Sequence, residues 1–525
     1  TEPWKYGYIC DVFGHIAQMP QIFNGFDIKY SCLGRGTTET DPNYFRWQSP
    51  DGSETINYNL DPDSGYGSFP LFVYSDQEDQ TIDNPVIVER IKKFVEKETE
   101  RSEYPVIIMM DGVDHFEAAP NASAYIKKIA ELFPNANVHF VDLCKQGELM
   151  EQYKDSMPVI KGELNKTAST GHGFLHLISN TLSSYYTLKA YNDKCQNLLE
   201  KELEPYLVMG ELENKELNRS FINLAHKYLI QNHPHDSICG CSIDQVHKDM
   251  EYRYDQIKQL CETVRFDYLV RDGKNHDDAD DYDHILTLYN PLPFDRNEVM
   301  TIEIPFPKDY TARYSEPFGY EAINAFLILD NEGNEVPYNI AAIKKNTAKR
   351  VFNNTAKQFD CHIVTFMANI PSMGKASYRI VPAGHPVRYL NKLKSGADFA
   401  ENNHIRMNIL SDGSIKIFDK KTQRTYTDLL NLIDDGEIGD GWYHANPVED
   451  RVVSSRGGKC LIEKVENGVS RCVFRVTRNM TVPAEMVYDD RGIRRSENTV
   501  DLKVVSYIGL SDNNRYVDVK MYVDN

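Results

Sequence analysis

The sequence predicts three kinds of structure in succession: an α/β amino-terminal part, a helical middle and an all-β remainder. Over residues 1 to about 160, short apolar runs alternate with helical periodicity, the order of a parallel sheet or an incomplete β/α barrel. From about 164 to 272 strand signals vanish and long 3.6-residue periodicity takes over, which reads as a three-helix bundle. From Ile285 to the end, short alternating runs are punctuated by Asn-Pro, Asp-Gly and Glu-Asn-Gly turns, the pattern of a β-sandwich. The domains are therefore expected at 1–160, 161–275 and 284–525.

The first element is Tyr8-Ile9-Cys10, a short buried strand that leaves Asp11 at its carboxyl end. Phe13-Gly14 makes a tight turn, and Pro20 suits the first turn of the helix that follows. Lys29-Tyr30-Ser31-Cys32-Leu33 is the next strand, followed by Gly34-Arg35-Gly36. Residues 41–75, rich in Gly, Pro, Asp and Tyr, form an irregular excursion. Pro85 opens a helix whose Ile87, Ile91, Phe94 and Val95 share one face. Val106-Ile107-Ile108-Met109-Met110 has the composition of a fully buried strand and ends in Asp111-Gly112-Val113-Asp114-His115. A helix follows with Tyr125, Ile126, Ile129, Ala130 and Phe133 on its buried face; then come a strand at Val138-His139-Phe140-Val141 and a helix at 145–156.

In the middle, helices are expected at about 174–203, 212–232 and 243–270. The last has Ser242 as N-cap with Gln245 completing a capping box, and Val246, Met250, Tyr254, Ile257 and Cys261 form its buried stripe. The acidic segment 276–283 lacks the glycine and the bidentate glutamate of a calcium loop and reads as a linker.

Composition narrows the function. Lys and Arg number 58 and Asp and Glu 78, a net charge of −20 over 525 residues, which argues against nucleic acid as a partner. No run is long and apolar enough to span a membrane, and the opening residues lack the pattern of a signal peptide. The ten cysteines are scattered, several inside apolar runs, as expected of reduced thiols in a cytoplasmic protein. Residue 1 is Thr and the last residues are an alternating strand that stops, so both ends read as cut.

Three places collect the residues of chemistry: Asp11 with Phe13, the Asp111–His115 turn, and His233-Pro234-His235-Asp236-Ser237-Ile238-Cys239-Gly240-Cys241 between two helices. Two carboxylates at the ends of parallel strands can face each other across a cleft, as glycoside hydrolysis requires. A His beside an Asp adds a metal ligand and an acceptor for hydroxyls. Each also has a structural explanation: Asp11 and Asp114 can cap the helices after them, and His235 can be a hydrogen-bonded loop residue. The Cys-x-Cys pair has no second pair at finger or ribbon spacing, which argues against structural zinc there. Walker, Gly-x-Gly-x-x-Gly and Gly-x-Ser-x-Gly motifs are absent.

The blocks Asp11–Ile22, Gly112-Val113-Asp114-His115 and Pro234–Ser242 together resemble the α-mannosidases of glycoside hydrolase family 38, bacterial branch, and the resemblance extends over essentially the whole chain. It implies a retaining, zinc-dependent glycoside hydrolase that releases terminal α-linked mannose from oligosaccharides or mannosides. By that resemblance Asp11 is the nucleophile and a zinc ligand, and Asp114 is the acid/base. His235 is a zinc ligand, and Asp236 holds sugar hydroxyls. Phe13 lies beside the sugar, and Arg35 supports the nucleophile. Asp114 must start protonated, which burial or neighbouring negative charge would favour. The partner is an α-mannoside, with neither nucleic acid nor membrane; a homo-oligomer is compatible with the sequence.

Two departures stand out. The family's remaining zinc ligands belong to a His-x-Asp motif upstream of the nucleophile block, and none precedes Asp11. Two further Zn2+ ligands are thus expected upstream of residue 1, and residues 1–525 alone are expected to bind zinc poorly and turn over little. Ser184-Tyr185 also stands where relatives tend to carry Ser-Arg. The alternatives are a hydrolase of small mannosides such as mannosylglycerate, and a non-catalytic mannose-binding protein; the intact Asp11 and Asp114 speak against the second.

Overall fold

The computed structural model describes residues 3–38, 40–166, 177–215, 217–273, 284–315, 322–350 and 356–524. The acidic segment 276–283 and the start of the helix expected from 174 lie outside the described residues. The chain forms two compact units: residues 1–184 with 441–443, and residues 185–440 with 444–525. An α/β amino-terminal part, a helical middle and many β-sheets follow one another as the sequence predicts.

The first unit is built on a five-stranded sheet. Its strands are β1 (Tyr6–Ile9), β2 (Tyr30–Leu33), β3 (Tyr44–Gln48), β4 (Glu54–Asn59) and β5 (Val159–Lys161), in the order β1-β2-β4-β3-β5. β1, β2 and β4 run parallel, with Ile9 opposite Leu33 and Leu33 opposite Asn59. The parallel sheet expected from the sequence is corrected here to a mixed one, because β3 pairs antiparallel with β4. The physical reason is local: Asp51-Gly52, with Gly52 at φ +91°, closes a hairpin between β3 and β4.

Two expected strands are not strands. Val106–Met110 is half-buried rather than fully buried as expected, with Val106, Ile108 and Met110 packed on one apolar cluster and Met109 on another. Its carbonyls, however, are satisfied outside a ladder: Val106 accepts from the Tyr44 hydroxyl at 3.5 Å, and Met110 from the Phe69 N–H at 3.0 Å. Apolar alternation reports burial, not which partner takes the backbone hydrogen bonds. Val138–Val141 is likewise irregular; Val138 packs inward but Phe140 is 84% exposed.

The helices of this unit follow the predicted faces except at Ala130, which is exposed. α1 is Met19–Gly25, and α2 is the short Ser68–Val73. α3, Pro85–Arg101, starts with the Asn84 side chain accepting from the Val86 N–H and buries Ile87, Ile91 and Phe94. α4, Ala122–Leu132, buries Tyr125 and Ile129, and α5, Leu143–Met150, runs on into a 3-10 turn at Glu151–Ser156.

In the second unit, α6 (Tyr186–Leu198) continues through a π-helical turn, Leu199–Leu203, into α7 (Glu204–Leu212). This stretch shares one core with α8 (Arg219–Gln231) and α10 (Asp244–Gly273), the short α9 (His235–Cys239) lying between them in sequence. The predicted stripe Met250, Tyr254, Ile257 and Cys261 is buried in that core and continues through Val264 and Tyr268. The capping box is not formed: Gln245 turns forward to Asp249, at 2.9 Å, because the helix begins two residues after Ser242.

The β part holds two cores between pairs of sheets. Phe326–Leu329, Gly374–Pro382 and His284–Asn290 make one three-stranded sheet, and Tyr338–Arg350, Ala356–Ile370 and Arg296–Pro307 another, with Phe306, Phe326 and Phe366 among the side chains they share. A five-stranded and a four-stranded sheet likewise share Met407, Phe474 and Ile508. Among the described residues no helix is long and apolar enough to cross a membrane. None of the ten cysteines is in a disulfide.

Candidate active site

The parallel register of β1, β2 and β4 sets the geometry of the first unit's site. Its strands end level at Ile9, Leu33 and Asn59, and two residues beyond each stands a charged side chain: Asp11, Arg35 and Asp61. Side chains at the carboxyl edge of parallel strands face the crevice where ligands bind. Arg35 Nε donates to Asp11 Oδ1 at 2.6 Å, with side chains 11% and 24% exposed. The Arg35 guanidinium also lies 5.5 Å from the centroid of the buried Phe13 ring. The nucleophile candidate, the arginine and the aromatic singled out from the sequence are thus brought together.

Beneath them lies His15, 3% exposed, its ring edge-on to Trp47 at 5.9 Å. Its backbone exchanges two 2.9 Å hydrogen bonds with Leu164, and the ring itself is sealed from solvent. Burial pushes the imidazole down to about 4, against a slight opposing pull from the Arg35 backbone, so the ring is neutral at pH 7.

Asp61 opens the route to the second carboxylate. It is 1% exposed, accepts from the Asp63 and Ser64 N–H groups, and is paired at 2.8 Å with Lys97 of α3. Burial alone would raise its carboxyl, but Lys97 and Ser64 outweigh it and hold Asp61 below the usual range. This closes a tight turn from Asp61 to Gly65, which presents Tyr66. The Tyr66 hydroxyl donates to Asp114 Oδ2 at 3.0 Å. Across α2, Tyr74 donates to Asp111 Oδ1 at 2.6 Å and stacks on Tyr125 with centroids 5.1 Å apart. The Asp111–His115 turn is therefore held at both ends by tyrosines flanking one short helix. Asp114 is exposed rather than buried. Tyr66 was not singled out from the sequence; the signal available was the dense turn chemistry of Asp61-Pro62-Asp63-Ser64-Gly65 just before it.

His235 and Asp236 lie in the second unit, in the first turn of α9. His235 Nε2 is 3.5 Å from Asp236 Oδ1, and both side chains are more than half exposed. The loop is tied down by Lys189 of α6, which donates to the Cys239 carbonyl at 3.1 Å, and by the Cys241 N–H, which reaches the Asp236 carbonyl at 3.1 Å. The Cys241 thiol sits 3.5 Å from Asp236 Oδ1; burial and that carboxylate push it up to about 12, so it stays protonated as a weak donor. Ser184, in the first unit, donates to the Gly441 carbonyl at 2.8 Å. Tyr185, in the second, places its ring 4.2 Å from that of His247 and its hydroxyl 3.3 Å from Asp244 Oδ1.

Zinc was expected on Asp11 and His235. Carboxylate and imidazole are suitable donors, but among the described residues no group of three or more His, Cys, Asp and Glu side chains is placed to hold a metal ion. The donors present do not by themselves fit a zinc site.

Comparison with known families defines the class. Residues 1–158 match the model of the glycosyl hydrolases family 38 N-terminal domain, and residues 176–269 that of the alpha mannosidase middle domain. These two regions are thus similar to the amino-terminal and middle domains of family 38 alpha-mannosidases. Among particular relatives, a putative mannosylglycerate hydrolase of Halalkalibacterium halodurans is 32% identical over 284 residues, 51% of this chain and 29% of that protein. The match thus spans less than a third of the relative's length. An alpha-mannosidase from Enterococcus faecalis V583 shares the fold over 100% of this chain and 61% of its own, with a TM-score of 0.76 at 21% identity. A family 38 glycosyl hydrolase from Enterococcus faecalis does so over 100% and 60%, with a TM-score of 0.70 at 19% identity.

Proposed function

We propose that the chain carries the catalytic carboxylates of a retaining, zinc-dependent α-mannosidase acting on terminal α-linked mannose. The observation that supports it most is the pairing of Asp11, clamped by Arg35 at a parallel strand end, with Asp114, held by a tyrosine that also lies in the field of Asp11. In this reading the Asp11 carboxylate attacks the anomeric carbon while Asp114 gives its proton to the departing glycosidic oxygen. Asp114 then takes a proton from water, which displaces the mannosyl ester on Asp11 with a second inversion, so configuration is retained. Arg35 fixes the orientation of the attacking carboxylate, and the Phe13 ring offers an apolar face to the sugar. Asp236 would hold sugar hydroxyls, and His235 with Asp11 would contribute to a Zn2+ site completed by further donors. Reduced thiols throughout accord with a cytoplasmic setting.

The test is hydrolysis of 4-nitrophenyl and methyl α-mannosides, with and without added zinc, by residues 1–525 and by a form extended at its amino end with a His-x-Asp segment. Asp114→Asn should lower kcat/KM on the methyl glycoside by about 100-fold or more, the range of general acid catalysis, and on an activated aryl glycoside far less. Equal rates for variant and wild type on the methyl glycoside would remove Asp114 from its role.

A second reading is favoured by the Halalkalibacterium relative: a small mannoside such as mannosylglycerate as substrate. Release of glycerate at a higher kcat/KM than release of mannose from a mannobiose would select it.

A further inference from the structure

Resting on the reading above, we infer that Tyr66 is a positioning residue of the reaction: its hydroxyl holds one oxygen of Asp114 so that the other is presented to the glycosidic oxygen. Four observations converge on it. The hydroxyl lies 3.0 Å from Asp114 Oδ2, a normal hydrogen bond to a side chain that is otherwise exposed. An exposed carboxylate at a turn samples several rotamers, so a fixed donor is what converts it into an aimed acid.

Tyr66 is itself immobilised. Its ring packs on the buried cluster of Tyr6, Cys10, Cys32 and Tyr58, and the turn before it is locked by Asp61 and Lys97. The backbone after it approaches the acid's own turn closely: a Cβ on Gly67 would stand 2.8 Å from Val113 Cγ2, so the two turns lie against each other. Burial, the hydrogen bond to Asp114 and the charges of Asp11 and Asp114 all push the phenol up against an opposing pull from Arg35, so it keeps its proton while Asp114 loses and regains its own. A donor that never titrates serves both steps: it holds Asp114 as the acid in the first and as the base in the second.

Tyr74, which makes the corresponding bond to Asp111, supplies the control for mere loosening of the loop. The experiment compares Tyr66→Phe, Tyr74→Phe and Asp114→Asn, each against wild type, on 2,4-dinitrophenyl and methyl α-mannosides, in whichever of the two forms above hydrolyses the activated substrate. Tyr66→Phe should lower kcat/KM, which reports the first step, by about 10-fold or more on the methyl glycoside and leave kcat/KM on the dinitrophenyl glycoside within about 2-fold. Tyr74→Phe should show no such dependence on the leaving group. A Tyr66→Phe variant equal to wild type on the methyl glycoside, while Asp114→Asn falls, overturns the inference and leaves the assignment of Asp114 standing. A Tyr66→Phe loss of equal size on both substrates also overturns it, since that is the signature of a structural role. If neither form hydrolyses the activated glycoside, the parent reading falls and this inference with it.

Discussion

A histidine buried as deeply as His15 is a pH liability written into one residue. Its imidazole titrates near 6.5 in an unfolded chain and is pushed down to about 4 in the folded one. Protonation therefore favours unfolding: the stability contribution is complete above pH 6.5 and is lost as pH falls from there towards 4, by up to roughly 3 kcal/mol. Thermal unfolding followed from pH 7 to pH 4.5 should show a steeper loss in wild type than in His15→Phe, whose ring keeps the packing on Trp47 without the proton. Parallel curves would show that other groups carry the acid sensitivity. The acid expected from the sequence, Asp114, is a contrasting case. Its residue type and turn were legible, but its exposure and its tyrosine partner were not, because Tyr66 lies 48 positions earlier along the chain.

At the scale of elements, the site depends on where each parallel strand stops. Level strand ends make positions two residues beyond Ile9, Leu33 and Asn59 equivalent, so Asp11 and Arg35 meet without long side-chain excursions. Gly36 sustains this edge. It sits at φ +93°, and a Cβ there would lie 2.4 Å from the Leu164 carbonyl oxygen, a backbone atom with nowhere to yield. Gly36→Ala is expected to cost about 3 kcal/mol and to lower activity through Arg35; urea denaturation with Gly52→Ala as comparison checks it, since that loop has open space around its positive-φ glycine. The helices were readable because a 3.6-residue stripe is a local property: Ile87, Ile91 and Phe94 are buried as expected. The segment Val106–Met110 was half readable. Its apolar packing follows from composition, whereas it is only half-buried and joins no ladder, with Tyr44 and Phe69 donating to the Val106 and Met110 carbonyls.

For the whole molecule, the division into two units separates the residues that sequence blocks had grouped. Asp11, Phe13, Arg35 and Asp114 belong to the first unit, and His235 and Asp236 to the second. Because the site residues named here supply only two zinc donors, Asp11 and His235, chelation should leave the thermal midpoint of residues 1–525 unchanged, and metal analysis should find well under one zinc per chain. A chelator-sensitive midpoint would show that the chain completes a metal site after all. The β part contributes cores of its own, with Phe306, Phe326 and Phe366 in one and Met407, Phe474 and Ile508 in the other.

Local pattern by itself determined the order of α/β, helical and β parts, the helix faces, and the blocks around Asp11, Asp114 and His235 that resemble one family. These are properties of neighbours along the chain, where periodicity, turn residues and motif spacing act over a few positions. Only the tertiary structure decided the mixed sheet, the Asp11–Arg35 clamp, the neutral buried His15 and the Tyr66–Asp114 bond. Each of these depends on which distant segment takes a given hydrogen bond or excludes water from a given side chain, and no spacing along the chain encodes that choice.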